Sequence, residues 1–347
     1  MKIEPIILDK EFNEIAVIDD YISLIWTTRY YLCGDFEICI DVSKANKELF
    51  QKDYYIKRED DDNIGIIESI EVKTDEDNHE TAIISGRFLS SVLSRRIIAV
   101  QTQLNGPVGS GIYNLIEDNV INPVISERKI DNFICGNMDI KERIEAQYTG
   151  KNLLETIEAI CESYHIGFKT IIDENNNMKF YLYKGIDRSY NQEENPHVIF
   201  SDEYDNLLSS QYKEEYQGMK TDILVAGEGE GLERRTLWVS PESKKGLERY
   251  EFYQDQRNIS SNGENISDEE YMNQLKEEGL ETITTFTTAF EGQVYFDNLV
   301  YKKDVFLGDI CTIQNNQWGI YINSRLVEVI ESIDESGNYT INPTFGI

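Results

Sequence analysis

The stretch Gly34-Asp35-Phe36-Glu37-Ile38-Cys39-Ile40-Asp41-Val42 sets the fold class of the chain. Its apolar residues alternate with Glu37 and Asp41, and this period of two predicts a strand with one buried face. The segment from Tyr21 to Tyr31, centred on Trp26, predicts the partner strand, and Cys33-Gly34-Asp35 predicts the turn between them. We expect Trp26, Phe36, Ile38 and Ile40 to lie in the core.

Further strands follow in the first hundred residues. Segments 64–72 and 81–85 predict a second pair, joined by an acidic loop at 75–78. Phe88, Val92 and Leu93 then share one face of a short amphipathic segment. Four or more strands in so short a span predict a small barrel or sandwich over residues 1–100.

Residues 101–198 have a different pattern, which predicts an α+β unit. Residues 101–111 are rich in glycine and polar side chains and predict a loop. Helical spacing follows at 112–120, and a stronger apolar stripe runs from Leu153 to Tyr164. Segments 168–172 and 179–183 then predict a hairpin around an acidic turn.

The strand pattern returns after Pro196. Segments 208–216, 221–226 and 234–239 predict strands, whereas 240–266 is polar and predicts an irregular segment. Ser267-Asp268-Glu269-Glu270 is a capping box, so a helix is expected from there to about Glu278, ended by Gly279. Strands resume at Thr282. The predicted fold is therefore mainly β with α+β insertions.

Composition restricts the classes of partner. The chain has 347 residues with 33 basic and 64 acidic side chains, a formal net charge of −31. This acidity argues against binding to nucleic acid phosphates or to an anionic membrane. No apolar run is long enough to predict a membrane span, and the first residues do not form a secretory signal. Five scattered cysteines predict synthesis in a reducing cytoplasm.

Sequence motifs for ligands are incomplete. Residues 227–232 follow a predicted strand, but Leu232 stands where a dinucleotide-binding loop needs its third glycine. Residues 106–111 lack the lysine of a phosphate loop, and Gly150-Lys151-Asn152 is typical of a turn into a helix. The acidic segments 60–65 and 173–178 each lack a required calcium-loop residue. We predict no cofactor-binding or metal-binding residues.

The candidates for catalysis are equally weak. His79, His165 and His197 lie in different sections of the chain. Cys161 and His165 have the i,i+4 spacing of a nucleophile and base, but this spacing also arises within an apolar helical stripe, which favours packing. A pair of glycosidase carboxylates remains open with 64 acidic residues, although nothing points to one. No catalytic residue is predicted.

Several segments, taken in their order and spacing, resemble a known family. They are Trp26 with Arg29, 34–38, 64–70, 85–89, 301–313, 325–329 and 343–346. Together they resemble the hub proteins at the tip of bacteriophage tail tubes, in particular the siphovirus-type hub family, whose members also occur in tail-like bacteriocins. The resemblance covers nearly the whole chain.

This resemblance implies a structural virion protein without enzyme activity or cofactors. It implies a homotrimer in which each copy supplies two tube-forming β-barrels and so adapts a hexameric tail tube to the baseplate or tip. The barrels would be 1–100, and 199–240 with 282–347; the units at 101–198 and 241–281 would be peripheral. Turns at Gly34-Asp35 and Gly308-Asp309 would set strand register, and edge strands would carry the contacts between copies.

The resemblance also implies partners and a location. The partners would be the tail tube or distal tail protein, the tape measure protein and other baseplate or tip proteins. DNA would pass through an acidic conduit without binding. The protein would be made in the bacterial host cytoplasm and reside in the virion tail. An alternative from another class is a carbohydrate-binding protein or glycoside hydrolase acting on cell-surface polysaccharide, in which the many tyrosines stack on sugars.

Overall fold

The computed structural model describes residues 3–44, 47–75, 78–204, 206–261, 266–284, 287–294 and 300–346. Three α-helices lie among them: α1 (Val108–Ile116), α2 (Leu153–Ser163) and α3 (Asp268–Thr282). The described strands are β1 (Ile6–Leu8), β2 (Glu14–Val17), β3 (Ser23–Arg29), β4 (Asp35–Asp41), β5 (Tyr55–Arg58), β6 (Asp61–Ile66), β7 (Ser69–Thr74), β8 (Glu80–Arg87), β9 (Thr102–Pro107), β10 (Phe133–Cys135), β11 (Arg143–Tyr148), β12 (Gly167–Ile172), β13 (Met178–Tyr183), β14 (Ile199–Ser201), β15 (Leu207–Glu215), β16 (Asp222–Ala226), β17 (Thr236–Val239), β18 (Glu251–Asp255), β19 (Thr287–Val294), β20 (Ile310–Asn315), β21 (Ile320–Ile333) and β22 (Tyr339–Gly346). The mainly β prediction is confirmed.

The predicted first hairpin forms as β3 and β4, which pair antiparallel with Trp26 opposite Phe36. Phe36, Ile38 and Ile40 are buried on one face of β4, as the alternation predicts. Trp26 is fully buried beside them. This apolar face lies in a core that extends from Ile3 through the α+β unit to Leu182.

One ten-stranded sheet joins the two predicted β sections. Its path is β15-β19-β22-β21-β3-β4-β8-β7, with β14 and β20 attached beside it. The fourteen-residue strand β21 pairs with β20 through its first half and with β3 through its second half. Residues near 24–29 are thereby hydrogen-bonded to residues 328–333.

The two closed barrels expected for 1–100, and for 199–240 with 282–347, are not seen as separate units. Within the described ranges, no sheet closes on itself. The physical reason is that β3 uses its free edge to pair with β21. The remaining strands of the first section form a four-stranded sheet, β2-β1-β5-β6, which packs against the large sheet.

Three other local predictions are wrong. Residues 101–111 contain β9 and the start of α1 because β11 supplies a distant pairing partner that outweighs the glycine content. Segment 64–72 forms two strands, β6 and β7, because each pairs with a different neighbour. Segment 240–266 contains β18, which pairs parallel with β16; residues 262–265 lie outside the described residues.

The helix begun by the predicted capping box is longer than expected. Ser267 is the N-cap, and its side chain accepts a hydrogen bond from the backbone N–H of Glu270 at 3.2 Å. The helix runs through Gly279 to Thr282. A Cβ atom at Gly279 would lie 2.4 Å from a methyl group of Val239, so this glycine allows close packing rather than ending the helix.

A separate small core lies under α3. The sheet β17-β16-β18 buries Ile223, Val225 and Val239 against Tyr271 and Leu275 of the helix. Strands within 222–239 therefore share a sheet with the helix-bearing segment. None of the helices in the described part of the chain is both long and apolar enough to cross a membrane.

Candidate functional site

A cleft of about 560 Å³ lies where distant parts of the chain meet. It is bounded by the β3–β4 turn, by the start of β6, by the β12–β13 hairpin and by the segment before β20. The residues lining it include Arg29, Cys33, Asp60, Asp61, Asp62, Phe88, Phe168, Lys169, Tyr181, Tyr183, Lys184, Tyr301, Lys302, Phe306 and Asp309.

A largely buried cluster of charged side chains adjoins the cleft, which Asp60, Asp61 and Lys302 line. Arg58 has no exposed side-chain surface; its Nη2 lies 2.6 Å from Asp60 Oδ2 and 3.1 Å from Glu331 Oε1. Lys302 Nζ lies 2.6 Å from Asp61 Oδ2 and 3.1 Å from Glu331 Oε2. Burial alone would lower the pKa of Lys302, but the two carboxylates outweigh it and raise that pKa above its ordinary value.

Aromatic side chains complete the same cluster. Tyr339 donates a hydrogen bond from its hydroxyl to Glu331 Oε1 at 2.6 Å. The Arg58 guanidinium carbon lies 5.3 Å from the ring centroid of Trp26, a cation–π distance. The cluster therefore ties β5 and β6 to β21 and β22 through the buried charges of Arg58, Asp61 and Glu331.

A second buried ion pair fixes the segment before β20. Arg188 Nε lies 2.7 Å from Asp309 Oδ2, and Asp309 also accepts hydrogen bonds from the backbone N–H groups of Ile186 and Phe306. Gly308 has φ +95°, and a Cβ atom there would lie 2.2 Å from the Tyr30 ring. Only glycine suits this turn.

The Gly34-Asp35 turn, of which Gly34 also lines the cleft, has a comparable role. A Cβ atom at Gly34 would lie 2.2 Å from the carbonyl oxygen of Thr27. Arg29 links Asp35 to Glu328, with ion-pair distances of 2.5 and 2.6 Å. The turn is thereby connected through Arg29 to β21.

The cleft is not arranged for catalysis. Among the side chains that the structure describes, no group of three or more His, Cys, Asp or Glu residues could hold a metal ion. Burial raises the pKa of the Cys33 thiol to about 12, so it is not a thiolate at neutral pH. Burial would raise the pKa of Asp60, but Arg58 lowers it overall, which is the wrong direction for a general acid.

The Cys161 and His165 pair does not form. Cys161 is fully buried, whereas His165 lies beyond the end of α2 with φ +52°. The His165 Nδ1 atom is 3.1 Å from the Tyr31 hydroxyl. Cys161 therefore packs in the core, as the sequence interpretation favoured.

Three of the five weak ligand motifs lie in connections between elements, whereas 60–65 lies largely in β6 and 106–111 spans the end of β9 and the start of α1. Asn152 Oδ1 accepts hydrogen bonds from Leu154 N and Glu155 N, so residues 150–152 lead into α2 as expected. Asp173 Oδ1 accepts from the backbone of the β12–β13 turn. Residues 227–235 connect β16 to β17 and contain only a short 3-10 turn at Gly231–Glu233, so the α-helix that a dinucleotide-binding loop requires does not follow.

The outer face of the large sheet is a second candidate surface. We use the name open face for the side chains that alternate with the buried ones on five of its strands. They are Glu328, Ile330 and Ser332 on β21; Ser23, Ile25 and Arg29 on β3; Asp35, Glu37, Cys39 and Asp41 on β4; Thr81, Ile83, Ser85 and Arg87 on β8; and Ser69, Glu71 and Lys73 on β7. Five carboxylates against three cations make this face acidic, although it also carries Ile25, Ile83 and Ile330.

Helix α3 contacts the α+β unit through buried carboxyl groups. Glu278 is 3% exposed, and Lys151 Nζ lies 3.4 Å from its Oε2 atom. Burial and the neighbouring Glu278 raise the pKa of Glu281 to about 7. Burial also raises the pKa values of Glu278 and of Glu277, which lies on the same helix. At a pH between about 4.5 and 7, the Glu281 carboxyl group therefore keeps its proton in the folded chain but has released it in the unfolded chain.

This contact predicts a pH dependence of stability. Because the pKa of Glu281 rises from 4.5 to about 7 on folding, the stabilisation that comes from protonating Glu281 is complete below about pH 4.5 and is lost as the pH rises to about 7. The Glu281→Gln variant has no carboxyl group at this position, so its stability should not show this pH-dependent loss. We expect the stability of the wild type to fall relative to that variant by about 1–3 kcal/mol between pH 5 and 8 in urea unfolding.

The matched control for this prediction is Glu269→Gln, at an exposed position in the first turn of the same helix. Its stability should follow the wild-type pH profile. Parallel profiles for the wild type and Glu281→Gln would contradict the proposed titration.

Sequence reasoning missed the central residues of the junction. Arg58, Lys302 and Glu331 come from segments far apart in the chain, so no local spacing connects them. One pattern in the sequence could have indicated Glu331. It lies two residues after Val329 in an alternating strand, and this spacing places its charged side chain on the buried face.

Solved structures share this fold at low sequence identity. The tail protein from Neisseria meningitidis MC58 is 10% identical with a TM-score of 0.60, covering 100% of this chain and 97% of that chain. The 43 kDa tail protein of prophage MuSo2 from Shewanella oneidensis is 12% identical with a TM-score of 0.58, covering 99% and 97%. Prophage tail protein gp18 from Listeria monocytogenes EGD-e is 13% identical with a TM-score of 0.54, covering 99% and 94%.

A search of curated proteins finds no sequence match. A family model, however, matches residues 4–347, and it describes the siphovirus ReqiPepy6 Gp37-like protein. This match confirms the resemblance to a siphovirus-type tail family. The chain belongs to the siphovirus ReqiPepy6 Gp37-like family and shares its fold with these phage tail proteins.

Proposed function

We propose that the chain forms a homotrimeric hub at the tip of a phage tail, or of a phage-tail-like particle. In this role it adapts the hexameric tail tube to the baseplate or tip and lines the DNA conduit. The observation that carries the proposal is the large sheet, which has two free edges and one acidic open face.

The first free edge is β7. It pairs only with β8 among the described strands, and all six of its side chains are exposed. Ile70 and Val72 point to the core side of the sheet yet are 43% and 58% exposed, because the core does not extend beneath them. An edge strand with exposed apolar side chains is a template for pairing with another chain.

The second free edge is β15, which pairs only with β19 in the described part of the chain. Because β7 and β15 are different surfaces, contact between them on successive copies is heterologous and generates a ring if the rotation closes. Closure of the tube-forming β structure would then occur between copies rather than within one copy.

The size of such a ring fits a conduit. The path from β15 to β7 contains eight strands, so three copies contribute twenty-four. At about 4.8 Å between strands, the ring has a circumference of about 115 Å and a diameter of about 37 Å, and strand tilt widens it further. After inward side chains are subtracted, this bore remains wider than a DNA duplex.

The open face supplies suitable chemistry for the lining. Its small polar side chains and excess of carboxylates would repel DNA phosphates and leave the polymer free to slide. In this arrangement DNA is a passing cargo and not a bound ligand. The apolar face of the same strands remains in the core, as the buried Phe36 and Ile38 require.

The peripheral units follow from the same arrangement. We propose that 1–100 and 199–240 with 282–347 carry the tube-facing strands, and that 101–198 and 241–281 lie outside the tube. Strands β16 and β17 are the exception within 199–240: they would lie outside the tube with 241–281, because they share a sheet with β18 and a core with α3. The tail tube or distal tail protein, the tape measure protein and other tip proteins are the proposed partners.

Cross-linking of the two free edges tests the ring. Val72→Cys on β7 and Lys213→Cys on β15 are made singly and together in a Cys39→Ser background, and assembled particles are treated with a short bismaleimide. We expect cross-linked dimers and trimers from the double variant and none from either single variant, because only unlike edges meet.

The matched control replaces Lys213→Cys with Val124→Cys, since Val124 is 92% exposed and lies outside the large sheet. This pair should give no cross-link. Cross-linking by Val72→Cys alone would indicate a twofold contact between like edges and contradict the ring. Absence of cross-links from the double variant would contradict it as well.

A further inference from the structure

We propose that the exposed face of the small sheet β17-β16-β18 binds a neutral saccharide. This function goes beyond the structural role proposed above. The opposite face is covered by α3, so only one side of this sheet is available. In the register of the three strands, Leu224 lies opposite Trp238 on one side and Tyr253 on the other.

This register places an apolar row across the exposed face. Trp238 is 45% exposed and Tyr253 is 52% exposed, while Leu224 between them is half-buried. Because two strand spacings separate the outer strands, the two aromatic residues are about 10 Å apart. A short oligosaccharide spans this distance and can stack the apolar faces of two of its sugar rings on the two side chains.

Two arginines hold the aromatic rings. The Arg249 guanidinium carbon lies 4.9 Å from the Trp238 ring centroid. Arg234 lies 5.9 Å from the Tyr253 centroid and donates a hydrogen bond to the Tyr253 hydroxyl at 2.7 Å. Aromatic side chains that are already fixed lose less conformational entropy when a ligand binds.

The charges beside the row favour a neutral ligand. Arg249 pairs with Asp222 and Glu251, and both Arg234 and Arg257 pair with Asp255. Three cations against three carboxylates leave no positive excess to attract phosphate or nucleic acid. These ion pairs instead offer hydrogen-bond donors and acceptors side by side, which is what the hydroxyl groups of a sugar require.

The area of the face argues against a protein partner. Three strands of four or five residues cover roughly 10 by 15 Å, or about 150 Å². A stable protein interface buries about 800 Å² on each partner. An oligosaccharide, by contrast, can be held by two stacked rings and a few hydrogen bonds.

Titration of the full chain with cellotetraose, chitotetraose and maltotetraose tests the proposal by calorimetry and tryptophan fluorescence. We expect saturable binding of at least one of them. The Trp238→Ala and Tyr253→Ala variants should weaken it at least tenfold, whereas Tyr253→Phe should largely retain it because the ring remains. The matched control is Trp318→Ala, because Trp318 is 81% exposed and lies between β20 and β21.

Three results would overturn the proposal. The first is that none of the three tetrasaccharides binds. The second is that Trp318→Ala weakens binding as much as Trp238→Ala does. The third is that Trp238→Ala abolishes self-association in sedimentation, which would make this face a contact between copies. Thermal unfolding of each variant checks that the fold is intact, and Tyr253→Phe reports on the ring even where an alanine variant fails to fold.

Discussion

Replacing Glu331 with alanine is expected to lower the free energy of unfolding by about 3–5 kcal/mol. The Glu331 carboxylate is 2% exposed and neutralises both Arg58 and Lys302. Its removal leaves cationic groups buried with less compensation, and the guanidinium of Arg58 has no exposed surface through which water could replace the lost partner. Urea unfolding at neutral pH measures the loss.

The matched control for this prediction is Glu14→Ala, which breaks the exposed ion pair between Glu14 and Lys57 at 2.8 Å. Exposed pairs contribute about 0–1 kcal/mol, so this variant should stay close to the wild type. Equal losses from the two variants would show that the buried position of Glu331 has no special energetic role.

Reversing two charges on the open face is expected to slow DNA release from assembled particles. In the Glu37→Lys and Asp41→Lys double variant, each copy gains four units of positive charge, or twelve in the proposed trimer. Cations that face the conduit would bind phosphates and hold the DNA, so we expect ejection to be at least tenfold slower at low salt. The defect should diminish as salt rises, because screening weakens the attraction.

The control for the charge reversal is Glu174→Lys with Glu193→Lys, two exposed positions outside the open face that give the same change in net charge. This variant should eject DNA at the wild-type rate. A similar delay in both double variants would show that the delay does not come from charges facing the conduit. Normal ejection from the Glu37→Lys and Asp41→Lys variant would contradict the proposal that the open face lines the conduit.

Local patterns were sufficient to predict individual elements. The alternation from Phe36 to Ile40 predicted β4 and its buried face, and the capping box at Ser267 predicted the start of α3. Both patterns depend on interactions within a few residues, so they can be interpreted without knowing how the rest of the chain folds. Gly279 shows the limit: its role depends on Val239 in another strand, and from sequence alone it indicated a helix end.

The candidate surfaces were harder to predict because distant segments create them. Arg58 lies two residues after Ile56 in a short strand, and nothing near it indicates a partner at Glu331. The pairing of β3 with β21 joins the strands into one sheet, and only this strand order makes β7 and β15 its two edge strands. The exposed row of Trp238, Leu224 and Tyr253 depends on a parallel pairing between β16 and β18, and β18 lies in a segment whose polar composition predicted no strand.

The pairing of β3 with β21 also determines when the protein can complete its fold during synthesis. Residues 23–29 leave the ribosome early, but their neighbours at 328–333 emerge some three hundred residues later. Throughout translation the nascent β3 keeps an unsatisfied edge, which is open to intermolecular aggregation. A chain interrupted before β21 therefore lacks the strand that joins the amino-terminal and carboxy-terminal parts of the sheet, and protection by a chaperone would be most valuable in this interval.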